Sequence, residues 1–443
     1  MTFDSYGRPA RKPSSHLVKT LLVFYHDDVE CNRGSASEFI RILCRYLSAS
    51  FDVRLYTYTG RKDFTVVSLD GYKWSRIPRL GLMTTQDSSG DALAGKAMRA
   101  LAALDPRLSI CSLSAPRDSL VLCVDPYAGL LPLLIYKALG HKIFYRPNDS
   151  LRSLGQQFLQ SGELALGLVA LVYGTVSESI ISRIADGIFA PSEYVRARFA
   201  RRTLKNNVKV VPNGMVPIDS SLPEAEAIRR RARNELHLEE ENHVFLFIGS
   251  GNWKPNQLSI EFLMNQLAPY LTQRDPKARI VIVGQETERY RKRIVAENTI
   301  VAGEVDTVSQ YIHASDLGLA PLFIFGGLPQ KVLTYLQWGL PVLATENARR
   351  LVASQRGLHF SSFQDFPEKL LELAAHRVDW NERRLISSIT NANYSIQSIG
   401  LDLAGVILQS SQGSSGLRPS QPAVSSESTA SDCTIARLPV SLA

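Results

Sequence analysis

The strongest constraint in this chain is a rhythm of short apolar runs, rich in β-branched and aromatic residues, each followed by a helical stretch. In the first half the runs are Thr20–Tyr25, Val53–Tyr58, Leu120–Val124, Lys142–Tyr145, Gly187–Ala190 and Val208–Val211. In the second they are Val244–Ile248, Arg279–Val283, Thr299–Ala302, Leu317–Ala320 and Val342–Ala344. A strand covered by helices on both faces has no solvated side to show. Continuous apolar runs alternating with helices therefore predict βα units wound into parallel sheets. A chain of 443 residues is too long for one core, so two α/β domains are expected. They should part near residues 212–242, where Pro212-Asn213-Gly214 precedes a charged stretch, read as a linker and a surface helix. The expected organisation is a disordered start (1–15), a first domain (16–215), a second (216–380), a helical segment (381–410) crossing back to brace the first, and a disordered Ser/Pro/Gly-rich tail (411–443).

Five scattered cysteines, none in a C-x-x-C spacing, suggest neither a disulfide framework nor a zinc site and fit a reducing cytosol. The net charge of +8 favours anionic partners, phosphorylated ligands and acidic membrane faces alike. No uninterrupted apolar run reaches the roughly 18 residues of a spanning helix, and the first fifteen residues lack a secretory apolar stretch. The expectation is a water-soluble, cytoplasmic chain. Leu164–Tyr173 (LALGLVALVY) reads as a helix buried between domains or under a loop. The alternative is a membrane-facing patch, with Arg196, Arg198, Arg201, Arg202 and Lys205 meeting acidic headgroups in peripheral contact with the inner face of the cell membrane.

The segment 316–345 (DLGLAPLFIFGGLPQKVLTYLQWGLPVLAT) reads as strand, glycine loop, helix, turn and strand. Gly326 and Gly327 let backbone approach a ligand closely, Pro329 suits a first helical turn, and Lys331 adds a positive charge where amides point outward. Taken alone, the pattern is more simply a turn and a solvated lysine.

Its context resembles the donor-binding element of GT-B glycosyltransferases, through Gly327, Lys331, Tyr335, Gly339, Pro341, Val342 and Thr345. Gly249-Ser250-Gly251-Asn252-Trp253-Lys254-Pro255-Asn256 after one strand, Gly303-Glu304 after another, Ala190-Pro191-Ser192 and Val211-Pro212-Asn213-Gly214 fit the same order. The resemblance spans roughly residues 19–408. It implies a GT-B fold, two Rossmann-like domains facing across a cleft with a C-terminal helix returning to the first. It also implies transfer of a sugar from a nucleotide diphosphate sugar to an acceptor hydroxyl. Many retaining members carry two glutamates where this chain has Gly326 and Thr334. The group that has also lost them is the GumK-like glucuronosyltransferases, which build exopolysaccharide on a lipid carrier, and Tyr145-Arg146-Pro147-Asn148-Asp149 resembles the segment holding their catalytic base.

On this resemblance Asp149 is the base. Gly249, Ser250, Lys254, Glu304, Gly327, Gln330, Lys331 and Thr334 hold the donor, and Arg33 and Gly34 form an acceptor-side loop. On its residues alone Asp149 is equally a helix N-cap. No D-x-D occurs, and Asp27, Asp28 and Glu30 read as solvated acids, so neither metal nor cofactor is expected. Gly90–Ala97 is a near-miss to a phosphate loop read as a helix start, and Arg229–Arg231 and Arg289–Arg293 read as solvated helix faces, with no nucleic-acid partner. The alternatives are a retaining GT4-type transferase, a sugar-nucleotide epimerase, and a non-catalytic nucleotide-sugar-binding protein.

Overall fold

The computed structural model describes residues 19–411, except 27–28, 30–34, 60–63, 70, 79–106, 108–111, 204–206 and 219–224. Both chain ends, the acidic loop with Arg33 and Gly34, Lys205, and Gly90–Ala97 lie outside the described residues.

The first sheet has eight strands in the order β3-β4-β2-β1-β5-β6-β7-β8. They are β1 (Thr20–Tyr25), β2 (Asp52–Thr59), β3 (Thr65–Leu69), β4 (Tyr72–Pro78), β5 (Leu120–Val124), β6 (Ile143–Arg146), β7 (Gly187–Ala190) and β8 (Val208–Val210). Around them run α1 (Ser35–Leu47), α2 (Pro126–Ala138), α3 (Leu151–Gln160), α4 (Leu164–Ile184) and α5 (Glu193–Ala200). Strands β1 and β5–β7 are buried along their whole length, as their continuous apolar runs predict. The sheet is not wholly parallel. Strand β3 pairs antiparallel with β4 at the edge, a hairpin that the run-based reading missed because β3 is half-solvated and alternates. Asp70-Gly71 between them is the turn signal that was there to be read.

The second sheet is parallel throughout, in the order β11-β10-β9-β12-β13-β14. Its strands are β9 (His243–Ile248), β10 (Ala278–Val283), β11 (Thr299–Gly303), β12 (Leu317–Ala320), β13 (Val342–Thr345) and β14 (Leu358–Ser361). Its helices are α6 (Ala225–Glu235), α7 (Lys254–Phe262), α8 (Ala268–Arg274), α9 (Ser309–Ala314), α10 (Gln330–Gln337) and α11 (Phe366–Ala374). The basic runs are not simply solvated. Arg229 and Arg233 on α6 grip the two Asp316 carboxylate oxygens at 2.6 and 2.9 Å and donate to the carbonyls that end α9, while Arg289 donates to the Gly251 carbonyl. A guanidinium carries enough donors to satisfy several orphan helix-end carbonyls at once.

Two last helices, α12 (Trp380–Tyr394) and α13 (Ile396–Ser411), close the chain. Ile396, Ile399, Leu403, Ala404 and Ile407 fall on one face of α13 and lie in the first-domain core with Ile40, Leu43 and Leu47 of α1, so the C-terminal helix does return. Where it leaves the second domain, Met215 N–H donates to the Tyr394 carbonyl and Ile396 N–H to the Met215 carbonyl, tying the two chain crossings together.

The domains also meet through an apolar seam in which Leu151, Leu154 and Phe158 of α3 and Leu166 of α4 pack on Ile324. The Gln157 amide donates to the Phe325 carbonyl at 2.7 Å and accepts the Phe325 N–H at 3.1 Å, replacing a strand partner for that loop. Helix α4 corrects the reading of Leu164–Tyr173. It runs 21 residues, long and apolar enough to cross a membrane by length and composition, yet one face is embedded in the protein through Ser177, Glu178 and Ser182. On the other face Leu164, Leu168, Val172 and Val176, each a turn apart, are 69, 57, 55 and 50% exposed.

Candidate active site

Each sheet reverses its winding once, between β1 and β5 in the first domain and between β9 and β12 in the second. Ligands of open α/β sheets collect in the crevice outside the carboxyl ends at such a reversal. Those ends supply the side chains that follow.

In the second domain Lys331 stands in the first turn of α10, beside the carboxyl end of β9. Its ammonium donates to Asn256 Oδ1 at 2.8 Å and lies 3.9 Å from the centroid of Phe247, next to last in β9. Among the described residues no carboxylate pairs with it, and burial lowers its pKa to about 7. A desolvated cation without a counter-charge is a site short of an anion. Asn256, on α7, also donates to the Ser250 carbonyl at 3.1 Å, so one side chain holds both the lysine and the loop after β9. Gly249 N–H bonds the Val283 carbonyl at 2.9 Å, pressing that loop on the end of β10.

The conserved-looking remainder of the motif proves to be packing. The Ile248 N–H donates to the Tyr335 hydroxyl at 2.6 Å, Thr345 Oγ1 bridges both backbone groups of Leu322, and Gly339 adopts φ 73° where a Cβ would meet the Arg383 carbonyl at 2.3 Å. These contacts fix the position of α10, and with it Lys331.

From the first domain, the loop after β6 reaches the same place. Ser150 is the N-cap of α3, its hydroxyl accepting the Ser153 N–H, so Asp149 is not the cap. Asp149 instead forms an antiparallel bridge with Gly327, and Ser150 N–H donates to the Gly326 carbonyl at 3.1 Å. The glycine pair is explained by this approach. A Cβ on Gly327 would stand 1.9 Å from the Asn148 carbonyl oxygen and 2.7 Å from Asp149 Oδ1. Burial first, and the charge of Asp125 second, raise the Asp149 pKa to about 7. Arg146, buried at the end of β6, donates to the Val211 and Pro212 carbonyls and to Asn213 Oδ1, and Asn213 donates onward to Gln330 Oε1 at 3.4 Å.

The structure thus brings together Asp149, Gly327, Gln330 and Lys331, with Gly249 and Ser250 joined to them through Asn256. Thr334 spends its hydroxyl on the Gln330 carbonyl one turn back, in the position of the missing glutamate. Lys254 is directed to the first domain, where it pairs with Glu163 at 2.5 Å, a contact between domains rather than an unpaired cation in the crevice. Glu304 is exposed beyond β11, two strand spacings or about 10 Å from β9. Asn256 and Asn213 stand in segments that carry the resemblance, and Phe247 in a strand run, yet the sequence assigned none of them a role; Asp125 was not singled out, and Asp125-Pro126 directly after an apolar run was the hint available.

Comparison with known proteins agrees with the two-domain fold. Residues 242–376 match the family described as glycosyl transferases group 1. No curated protein matches the chain. Among solved structures, sucrose-phosphate synthase from Thermosynechococcus elongatus is similar at TM-score 0.65 and 14% identity, over 89% of this chain and 100% of that one. HepE of Anabaena in complex with UDP and glucose is similar at TM-score 0.59 and 14% identity, over 88% and 99%. UDP-forming α,α-trehalose-phosphate synthase from Burkholderia xenovorans is similar at TM-score 0.63 and 10% identity, over 88% and 99%. Two mainly parallel α/β domains, each with one winding reversal, and a returning C-terminal helix make this a GT-B fold, whose second domain is similar to the glycosyl transferases group 1 family over residues 242–376.

Proposed function

We propose that the chain is a glycosyltransferase that moves a sugar from a nucleotide diphosphate sugar to an acceptor hydroxyl in the cleft between its domains. The observation that carries this reading is Lys331, a desolvated cation with no carboxylate partner among the described residues, at the head of α10 and the carboxyl end of β9. Its charge and the first amides of α10 would neutralise the leaving diphosphate, with no metal needed in the step. Asp149, facing the same cleft from the first domain, would take the acceptor proton. A thermal-shift panel of nucleotide sugars tests the binding half of the reading. One or more should raise the melting temperature, since a ligand specific for the native state stabilises it by mass action. A panel in which nucleotide sugars shift no more than sugars or nucleosides alone sinks it.

The finer reading is hexosyl or uronosyl transfer of the GumK-like kind, on a lipid-linked acceptor, for exopolysaccharide or another cell-surface glycan at the cytoplasmic face of a membrane. Its support is the Asp149 placement, the missing glutamates and the outer face of α4. Leu168 and Val172 stand exposed on an apolar groove that also includes Val169, Tyr173 and Val176. Such a ridge suits shallow insertion at a lipid interface. The protein should float with phosphatidylglycerol vesicles, and Leu168→Ser with Val172→Ser should abolish flotation without altering donor binding. Equal flotation of the double variant would remove α4 from the account.

Transfer with retention is the second reading. It is favoured by likeness to trehalose-6-phosphate synthase, a protein studied for glycosyltransfer with retention. NMR of the new linkage separates the two.

A further inference from the structure

The winding reversal of the first sheet holds a second buried carboxylate, Asp125. Asp125 directly follows β5 and precedes α2, next to the end of β1. It is buried, and its backbone stands at φ 62°, ψ 152°, a region other residues leave almost entirely to glycine. Strain of this kind costs about 1–3 kcal/mol and persists only where surrounding contacts impose it. The contacts are plain. Asp125 Oδ1 accepts the Asn148 N–H at 2.8 Å, Oδ2 accepts the Asn148 side-chain amide at 2.5 Å, and Asp125 N–H donates to the Arg146 carbonyl at 3.1 Å.

Both carboxylate oxygens are therefore held as acceptors, an arrangement that suits the ionised form and not the acid. Asp149 is the residue after Asn148. Two carboxylates this close do not both ionise at ordinary cost, and hydrogen bonding decides which one keeps its charge. We propose that Asp125 is a positioning residue for Asp149: through Asn148 it fixes the turn that presents the Asp149 carboxyl to the cleft, and it sets a negative charge, held by the two Asn148 donors, behind that carboxyl. The division of labour is one carboxylate anchored and anionic, the other free to exchange a proton. The proposal rests on the reading of Asp149 as the base.

Other charges face this turn. Burial raises the Asp125 pKa, and His26 after β1, the two Asn148 hydrogen bonds and Arg146 at the end of β6 act against it, drawing the group toward its ionised form. Glu178 of α4 accepts from Ser150 and Arg152 and is paired with Arg202, so that pair is internally balanced. Among the described residues Asp125 is the group whose charge adds to burial in raising the Asp149 pKa.

The test is the titration of the Asp149 carboxyl carbon by NMR in the full chain, with Asp149→Asn identifying the resonance. In the unaltered protein the midpoint should lie near pH 7, where burial and the Asp125 charge together raise it. In Asp125→Asn it should fall by roughly one unit yet stay above the ordinary range, because burial remains. Asp125→Gly removes the charge and relieves the backbone strain, and it should show the same fall even where the asparagine variant folds poorly. An unchanged midpoint in either variant overturns the proposal, because a purely structural Asp125 would alter stability and not this titration. The transfer activity of Asp149→Asn is read separately. An active Asp149→Asn would defeat the base assignment while leaving the Asp125 coupling to stand or fall on the titration.

Discussion

Lys331→Ala is expected to lower kcat/KM by about 10²-fold or more, the scale seen when one preorganised donor to developing charge is removed. It should weaken binding of the nucleotide sugar as well. The reasoning is electrostatic. The ammonium rests between Asn256 and the Phe247 ring, where it has given up water without gaining a carboxylate among the described residues. A diphosphate arriving there restores what desolvation took away, and the departing diphosphate carries more negative charge than the bound donor. The contribution is therefore largest in the transition state. Alanine leaves Asn256 and the α10 amides in place, so the fold should persist while turnover collapses. Retained turnover would return Lys331 to the role of a packing lysine.

Asp149→Asn should lower kcat by about 10²–10⁴-fold, the span typical of a lost general base, with donor binding nearly intact. The pH dependence sharpens this prediction. Asp149 must be ionised to accept a proton, and its raised pKa of about 7 means that activity is lost as pH falls through that value. Lys331 must be charged to hold the diphosphate, and its lowered pKa of about 7 means that activity is lost as pH rises through that value. In kcat/KM, which reports the free enzyme, the two limbs meet in a narrow bell centred near pH 7. The residual rate of Asp149→Asn should have lost the acidic limb and kept the basic one. A broad plateau in the unaltered enzyme, or an unaltered bell in the variant, would contradict the assignment of the pair.

Much of this site was legible in the sequence because the second domain repeats simple units. Buried parallel strands must be apolar throughout, so their order could be read from the runs, and Gly327, Lys331, Tyr335 and Gly339 keep the spacing that helix α10 imposes. What could not be read was lateral. Asn256 meets Lys331 from 75 residues away, and Asp125 reaches Asn148 across a neighbouring strand, pairings set by strand order and not by spacing. The edge hairpin of β3 and β4 was missed for the opposite reason, since half-solvated strands lack the continuous apolar signal. The glycine pair at 326 and 327 was read as making room for a ligand. Its immediate neighbours are Asn148 and Asp149 of the other domain, so the same small residues that suit a phosphate loop here let the two halves of the site touch.

The most direct test of the account is calorimetric titration of the unaltered protein and Lys331→Ala with the tightest-binding nucleotide sugar, at pH 8, in two buffers of different ionisation enthalpy. A lysine that is mostly neutral in the free protein at that pH and charged beside a diphosphate takes up close to one proton on binding. The account predicts this uptake in the unaltered protein, its decline as the pH is lowered below 7, and its absence in the variant. Binding without proton uptake, or the same uptake with and without Lys331, would contradict the claim that this ammonium holds the diphosphate.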